Sequence, residues 1–268
     1  MMNLPHYLKK IRQQGHLFFT IDQLITDLNI SKRAALSAIS RIKKQGDIIS
    51  PAKGLYIIVP PERQPYGSIA AQELVPILMN YLHADYYVSL LSAAELYGAS
   101  HQKPQRFQII SNKRIKHPLI FGHIVIEPIF KKSLLNLPLR NFTVASGYLK
   151  VASPELVVFD LLHYPTRSGG LNHIATVLTE LIENIDSKKL MYLAEQVGEK
   201  AWLQRLGFML EQLDLQRKST LALIETLHNY LQNKSLFFVS LAAELPTAGY
   251  PRIKRWHIIE NTTLESDV

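Results

Sequence analysis

Apolar residues return every three or four positions through the first sixty residues, and the phase breaks wherever a capping residue or a glycine stands. Leu4, Leu8 and Ile11 recur at i, i+4, i+7 and predict the buried stripe of a first helix. Asn3 caps it, Pro5 sits inside the first turn where a missing N–H costs little, and Gly15 stops it. Leu17 to Phe19 is a short apolar run that reads as a small strand. Thr20-Ile21-Asp22-Gln23 has the form of a capping box and opens a second helix with Ile21, Leu24, Ile25 and Leu28 on its apolar side. After a tight turn at Asn29-Ile30, Ser31 caps a third helix that runs to Lys44 and ends before Gly46. Ile48-Ile49 and Leu55 to Val59 then read as strands around the hairpin loop Pro51-Ala52-Lys53-Gly54, with a lysine at its tip. Helix, helix, turn, helix, hairpin is the order of a winged helix-turn-helix.

The third helix carries the most pointed pattern. At about 100° per residue, Ala35, Ala38, Ile39 and Ile42 share one side. Arg33, Ser37, Ser40 and Lys44 fall opposite, flanked by Lys32 and Arg41, and the helix holds no carboxylate. Such a face suits the major groove, with cations for phosphates and Arg and Ser for base edges. A solvated amphipathic helix would have the same composition; the surrounding frame favours DNA. The residues expected to meet DNA are Ser31, Lys32, Arg33, Ser37, Ser40, Arg41 and Lys44, with Lys53 on the wing.

Beyond residue 60 the periodicity becomes mixed. Pro60-Pro61 and Gln64-Pro65-Tyr66-Gly67 form a stiff, turn-rich connection, so the sequence divides into a winged-helix domain 1–61 and a C-terminal domain 67–259. Helices are expected over 69–82, with Pro76 threatening a kink, and over 89–97. Strands are expected at 107–111, 120–121, 124–129, and as a hairpin of 143–146 with 148–151. A helix capped by Ser153 should run to Leu162, followed by helices at 171–185, 187–197, 200–213 and 219–231. Late strands are expected at 237–239 and 253–259, and the acidic tail 260–268 is expected to be disordered. The fold class is thus α+β, a winged helix-turn-helix followed by a mixed, helix-rich C-terminal domain.

Charge sharpens the first part of this picture. The chain has 268 residues and a formal net charge of +8. Residues 1–60 hold nine Lys and Arg against three Asp and no Glu, which is +6 of that total. A polyanionic partner is favoured. The absence of cysteine excludes disulfides and thiolate metal sites and suits a reducing cytoplasm. No signal peptide and no apolar run near the roughly 20 residues of a membrane span are present, so a cytoplasmic chain without membrane contact is expected. A second basic patch gathers Lys113, Arg114 and Lys116 with Lys131 and Lys132; it reads as solvated loops, extra DNA backbone contacts or a site for an acidic protein.

Catalytic patterns are missing. No Glu-x-Lys occurs, and Asp186-Ser187-Lys188 stands at a helix start, where Asp or Ser serves as a cap. Gly67-Ser68 is followed by no Asp-x-Asp, and the phosphate-binding glycine motifs are absent. Ser146-Gly147 lacks the context of a nucleophile elbow. His163 and His173 flank the Gly169-Gly170 loop without ligand spacing. Glu155 and Asp160 sit i, i+5 on one helix, too far round to act as a pair. Neither an enzyme, a metal nor a cofactor is expected.

The winged helix followed by YYVSLLSAAELYGASHQKP, VASPELVVFDLL and WLQRLGFMLEQL, in that order, resembles the AbiEi-type antitoxins of bacterial abortive-infection (type IV toxin–antitoxin, phage-defence) systems. The resemblance implies a transcriptional repressor whose N-terminal domain binds inverted repeats in its own promoter, two copies per repeat. It further implies a C-terminal domain that counters a nucleotidyltransferase-like toxin encoded next door, in some family members without a stable complex. The alternative is a winged-helix regulator whose C-terminal domain senses a small molecule.

Overall fold

A computed structural model of the chain describes residues 3–100, 104–213, 215 and 217–264. It begins with α1 (Leu4–Gln13), β1 (Phe18–Thr20), α2 (Ile21–Leu28), α3 (Lys32–Lys44), β2 (Ile48–Ala52) and β3 (Leu55–Ile58). The caps are where the sequence puts them. Asn3 accepts from the His6 amide at 3.1 Å, and Thr20 and Gln23 form both bonds of a capping box. Asn29 takes the left-handed conformation (φ 48°) that closes the tight turn. β3 lies between β1 and β2, antiparallel to both. The core joins Leu4, Leu8 and Ile11 of α1, Leu24 of α2, and Ala35, Ile39 and Ile42 of α3 to Ile48, Tyr56 and Ile58. Phe19 anchors it, edge-on to Tyr7 at 6.0 Å and stacked on Tyr56 at 5.3 Å. This is the winged helix-turn-helix.

After a 3-10 turn at Pro61–Tyr66 come α4 (Ala71–Tyr81), β4 (Tyr86–Val88), α5 (Leu90–Leu96), β5 (Phe107–Ser111), β6 (Leu119–Phe121), β7 (Ile124–Phe130), β8 (Leu139–Val144) and β9 (Gly147–Ala152). These strands form a six-stranded sheet ordered β6-β7-β5-β4-β9-β8. β4 pairs antiparallel with β5 and parallel with β9. The strand at 86–88 has no counterpart in the expected pattern: all three residues are buried, so the period-2 alternation that marks a half-buried strand is absent. α4 runs unbroken through Pro76 despite the one helical bond that residue cannot donate.

The remainder is α6 (Pro154–His163), α7 (Leu171–Leu181), α8 (Ser187–Val197), α9 (Ala201–Gln212), α10 (Lys218–Gln232) and three two-residue strands, β10 (Val239–Ser240), β11 (Arg252–Ile253) and β12 (Ile258–Ile259). α6 is apolar on nearly every side and accordingly packs against α5, α7, α8 and α9. A single strand over 253–259 is corrected to two: Lys254, Arg255 and a left-handed His257 (φ 51°) turn the chain, so β11 folds back antiparallel on β12. The tail expected to be disordered begins inside the fold. Asn261 is buried and exchanges bonds with the Ala242 amide and carbonyl, at 3.0 and 2.8 Å. Residues 265–268 of that tail lie outside the described residues.

Two compact units emerge from these contacts. Unit 1 takes 1–88, 105–135 and 141–151; unit 2 takes 89–104, 136–140 and 152–268. The connection at 61–67 separates the two larger sheets, while both the winged helix and β4 to β7 belong to unit 1. Within unit 1 the chain closes tightly on itself at Gly67 and Gly122. A Cβ on Gly122 would stand 2.1 Å from the Tyr66 carbonyl oxygen, and the His123 amide donates to that oxygen at 2.9 Å. No helix among the described residues is long and apolar enough to cross a membrane.

Candidate nucleic-acid interface

α3 is held by its apolar side and leaves its basic side open. Ala35, Ile39 and Ile42 are buried, whereas Lys32, Arg33, Ser37, Ser40, Arg41 and Lys44 are all exposed. Ser31 is exposed as well, but its Oγ accepts from the Ala34 amide at 3.3 Å, so it serves first as the helix cap. Arg33, Ser37, Ser40 and Lys44 therefore share one solvent-facing strip. Arg41 stands to one side, at a groove of about 470 Å³ whose apolar walls include Leu4, Leu24, Leu28 and Ala38.

Among the described residues no ion pair engages Lys32, Arg33, Arg41, Lys44 or Lys53. Two of the three nearby aspartates have other partners. Asp27 accepts from the Tyr7 hydroxyl at 2.8 Å, and Asp47 from the Gln64 amide at 2.7 Å. Burial, and then the bond and charge of Asp27, hold the Tyr7 hydroxyl well above the usual tyrosine range.

The wing is braced. Lys53 is exposed at its tip, and its carbonyl accepts from the Tyr81 hydroxyl, on the last residue of α4, at 2.8 Å. Gly54 follows with φ +85°, and a Cβ there would stand 3.0 Å from the same hydroxyl. Tyr81 had no signal in the sequence beyond its place at a helix end, because its partner is a backbone atom 28 residues away.

The second basic patch is assembled by strand pairing. β5 and β7 run parallel with Ser111 opposite Phe130, so the two lysine-rich segments that follow them leave the sheet at the same end. The Lys131 amide donates to the Ser111 carbonyl at 3.0 Å. Lys113 is partly committed, its Nζ donating to the Leu82 carbonyl at 2.8 Å, and Arg114 lies over the Phe130 ring at 4.4 Å. Lys116 and Lys132 are exposed.

The carboxylates of α6 are both buried and point to separate partners. Glu155 Oε1 accepts from the Asp186 amide at 3.0 Å, and Asp160 Oδ2 from the Ser89 hydroxyl at 2.7 Å. Asp186 itself caps α8, accepting from the Lys188 and Lys189 amides, which hold its carboxyl below the usual range. His163 stacks on Phe159 at 5.3 Å, and His173 packs over Gly169. Among the described residues no three His, Asp or Glu gather as a metal site requires.

Residues 87–212 match the family model described as AbiEi antitoxin C-terminal domain. Among solved structures, the RV2827C protein from Mycobacterium tuberculosis superposes with a TM-score of 0.67 at 15% identity, covering 94% of this chain and 89% of that one. At that identity the likeness is one of fold, and it spans the winged helix as well as the matched domain. An antigenic nucleotidyltransferase-like protein from Paracoccidioides brasiliensis gives a TM-score of 0.38 at 13% identity, over 58% of this chain and 90% of that one. That score is too low to carry an argument. No curated protein sequence matches the chain.

Proposed function

We propose that this chain, which carries an AbiEi antitoxin C-terminal domain over residues 87–212, is a DNA-binding repressor and antitoxin that regulates its own toxin–antitoxin operon. The matched family is one of antitoxins and supports the toxin–antitoxin role directly. The DNA reading rests on one observation: α3 presents Arg33, Ser37, Ser40 and Lys44 to solvent on a single strip, with no carboxylate on the helix. Arg33 reads a base, for which guanine is the natural match, since its O6 and N7 accept both arms of a guanidinium. Lys44 and Lys53 neutralise phosphates, and Ser37 and Ser40 bond to base edges or phosphates. Inverted repeats in the promoter would seat two copies, one per half-site. The toxin countered is a nucleotidyltransferase-like protein, the partner implied by the family resemblance, and the antitoxin works without catalysis of its own.

The test is fluorescence anisotropy of the full chain on about 150 base pairs from upstream of its gene, against a random duplex, at two salt concentrations. A preference of about a thousandfold or more is expected. Arg33→Ala should remove most of that preference. Lys44→Ala and Lys53→Ala should weaken both duplexes alike and lower the salt slope by about one each. Equal, steeply salt-dependent binding to both duplexes would reduce α3 to a basic patch and overturn the repressor reading.

A further inference from the structure

We infer that Leu36 reads the 5-methyl group of a thymine, one or two base pairs from the base met by Arg33. The inference rests on the DNA-binding reading above and adds a specificity determinant to it.

Leu36 departs from the pattern of the other large apolar residues of α3, Ile39 and Ile42, which are buried. Its neighbours Ala35, Ile39 and Ile42 enter the core, and Ala38 packs against that core, but Leu36 takes no part in it. It is 45% exposed, the one large apolar side chain of α3 left in solvent among the described residues. At about 100° per residue it stands at the edge of the exposed strip, one turn after Arg33 and one turn before Ser40. It is the fifth residue of the helix, in the N-terminal half that meets base edges when a helix-turn-helix docks.

The occupant follows from what the strip faces. Its remaining residues are cations and hydroxyls, matched to phosphates and polar base edges. The major groove offers a single apolar group, the thymine methyl, and aliphatic side chains meet it by contact alone. The three residues from Arg33 to Leu36 span about 4.5 Å along the helix, a little more than one base step, which places the thymine beside the Arg33 base pair.

The experiment replaces each thymine of the bound promoter duplex in turn by deoxyuridine, which deletes the methyl and keeps the pairing edge. One position per half-site should weaken binding by the full-length protein about fourfold, the value of one buried methyl, and about fifteenfold when both half-sites are changed. Leu36→Ala should weaken the thymine duplex similarly and abolish the uracil penalty, because neither change then has a contact left to lose. A full uracil penalty retained by Leu36→Ala, or a promoter duplex indifferent to every uracil, overturns the inference while leaving the repressor reading intact. Failure to prefer the promoter over a random duplex strikes the repressor reading itself, and this inference falls with it.

Discussion

Replacing Gly207 by alanine sets two effects of opposite sign against each other. Gly207 lies inside α9, where alanine is favoured over glycine by about 1 kcal/mol. A Cβ there would fall 2.1, 2.4 and 2.5 Å from three carbons of the Trp256 ring, against the roughly 3.5–4.0 Å of an ordinary carbon contact. The ring must therefore retreat by more than an ångström, and it is poorly placed to do so. Trp256 is fully buried, its Nε1 donates to Glu211 Oε2 at 2.6 Å, and His228 meets it edge-on at 5.6 Å. Overpacking of a filled core costs about 1–3 kcal/mol, and loss of a hydrogen bond to a charged group about 1.5–3 kcal/mol more. Packing outweighs helix propensity, and Gly207→Ala should destabilise by about 2–4 kcal/mol. For a chain of this size that lowers Tm by roughly 5–15 °C. Thermal unfolding followed by tryptophan fluorescence reads the shift. Adding Trp256→Leu should make the pair cost less than the sum of the single changes. An unchanged or raised Tm for Gly207→Ala alone would refute the argument, for it would mean that the ring yields freely and that only the propensity gain remains.

Gly122→Ala should cost at least about 2 kcal/mol in urea unfolding, because its Cβ meets the backbone of Tyr66 and Gly67, where no side chain can swing aside. Tyr81→Phe should lower Tm little, since the wing-tip carbonyl can turn to water, yet weaken promoter binding several-fold by loosening Lys53; unchanged affinity would show that the wing keeps its shape unaided. Asp186 is held below the usual carboxylate range, so its stabilising effect is present at neutral pH and is lost as pH falls through its folded value. Asp186→Asn, which cannot ionise, should therefore show a Tm gap to the parent that is steady at neutral pH and closes only as pH falls below the usual carboxylate range, and a gap unchanged on acidification through that range would contradict the charged cap.

Much of the winged helix was legible because its signals are local. A cap bonds to an amide three residues on, as Asn3 and Thr20 do, and an apolar stripe such as Leu4, Leu8, Ile11 needs only its own helix to be recognised. The same holds for Ser153 and Asp186, each found at the helix start expected of it. What escaped depends on distant partners. The strand Tyr86–Val88 is defined by β5 and β9 on either side of it, and its own three residues carry no alternation. Asn261 looked like part of an acidic tail because its carbonyl partners at Ala242, Leu245 and Pro246 are reached only through the chain's last turns. At the candidate interface the cations of α3 could be read off one helical wheel. The bracing of Lys53 by Tyr81 and the merging of the Lys113 and Lys131 segments both required the fold.

The bond between Tyr81 and the wing tip also acts in reverse. Coupling between two sites is reciprocal, so whatever affinity a duplex gains from finding the wing ordered, α4 must gain back in resistance to opening. The amides of the last turn of α4 belong to no DNA-contacting surface proposed here, yet their hydrogen exchange should slow when promoter DNA is added, and Tyr81→Phe should erase that protection. A helix of the same compact unit, outside the winged helix itself, would thereby register occupancy of the operator through one hydroxyl group.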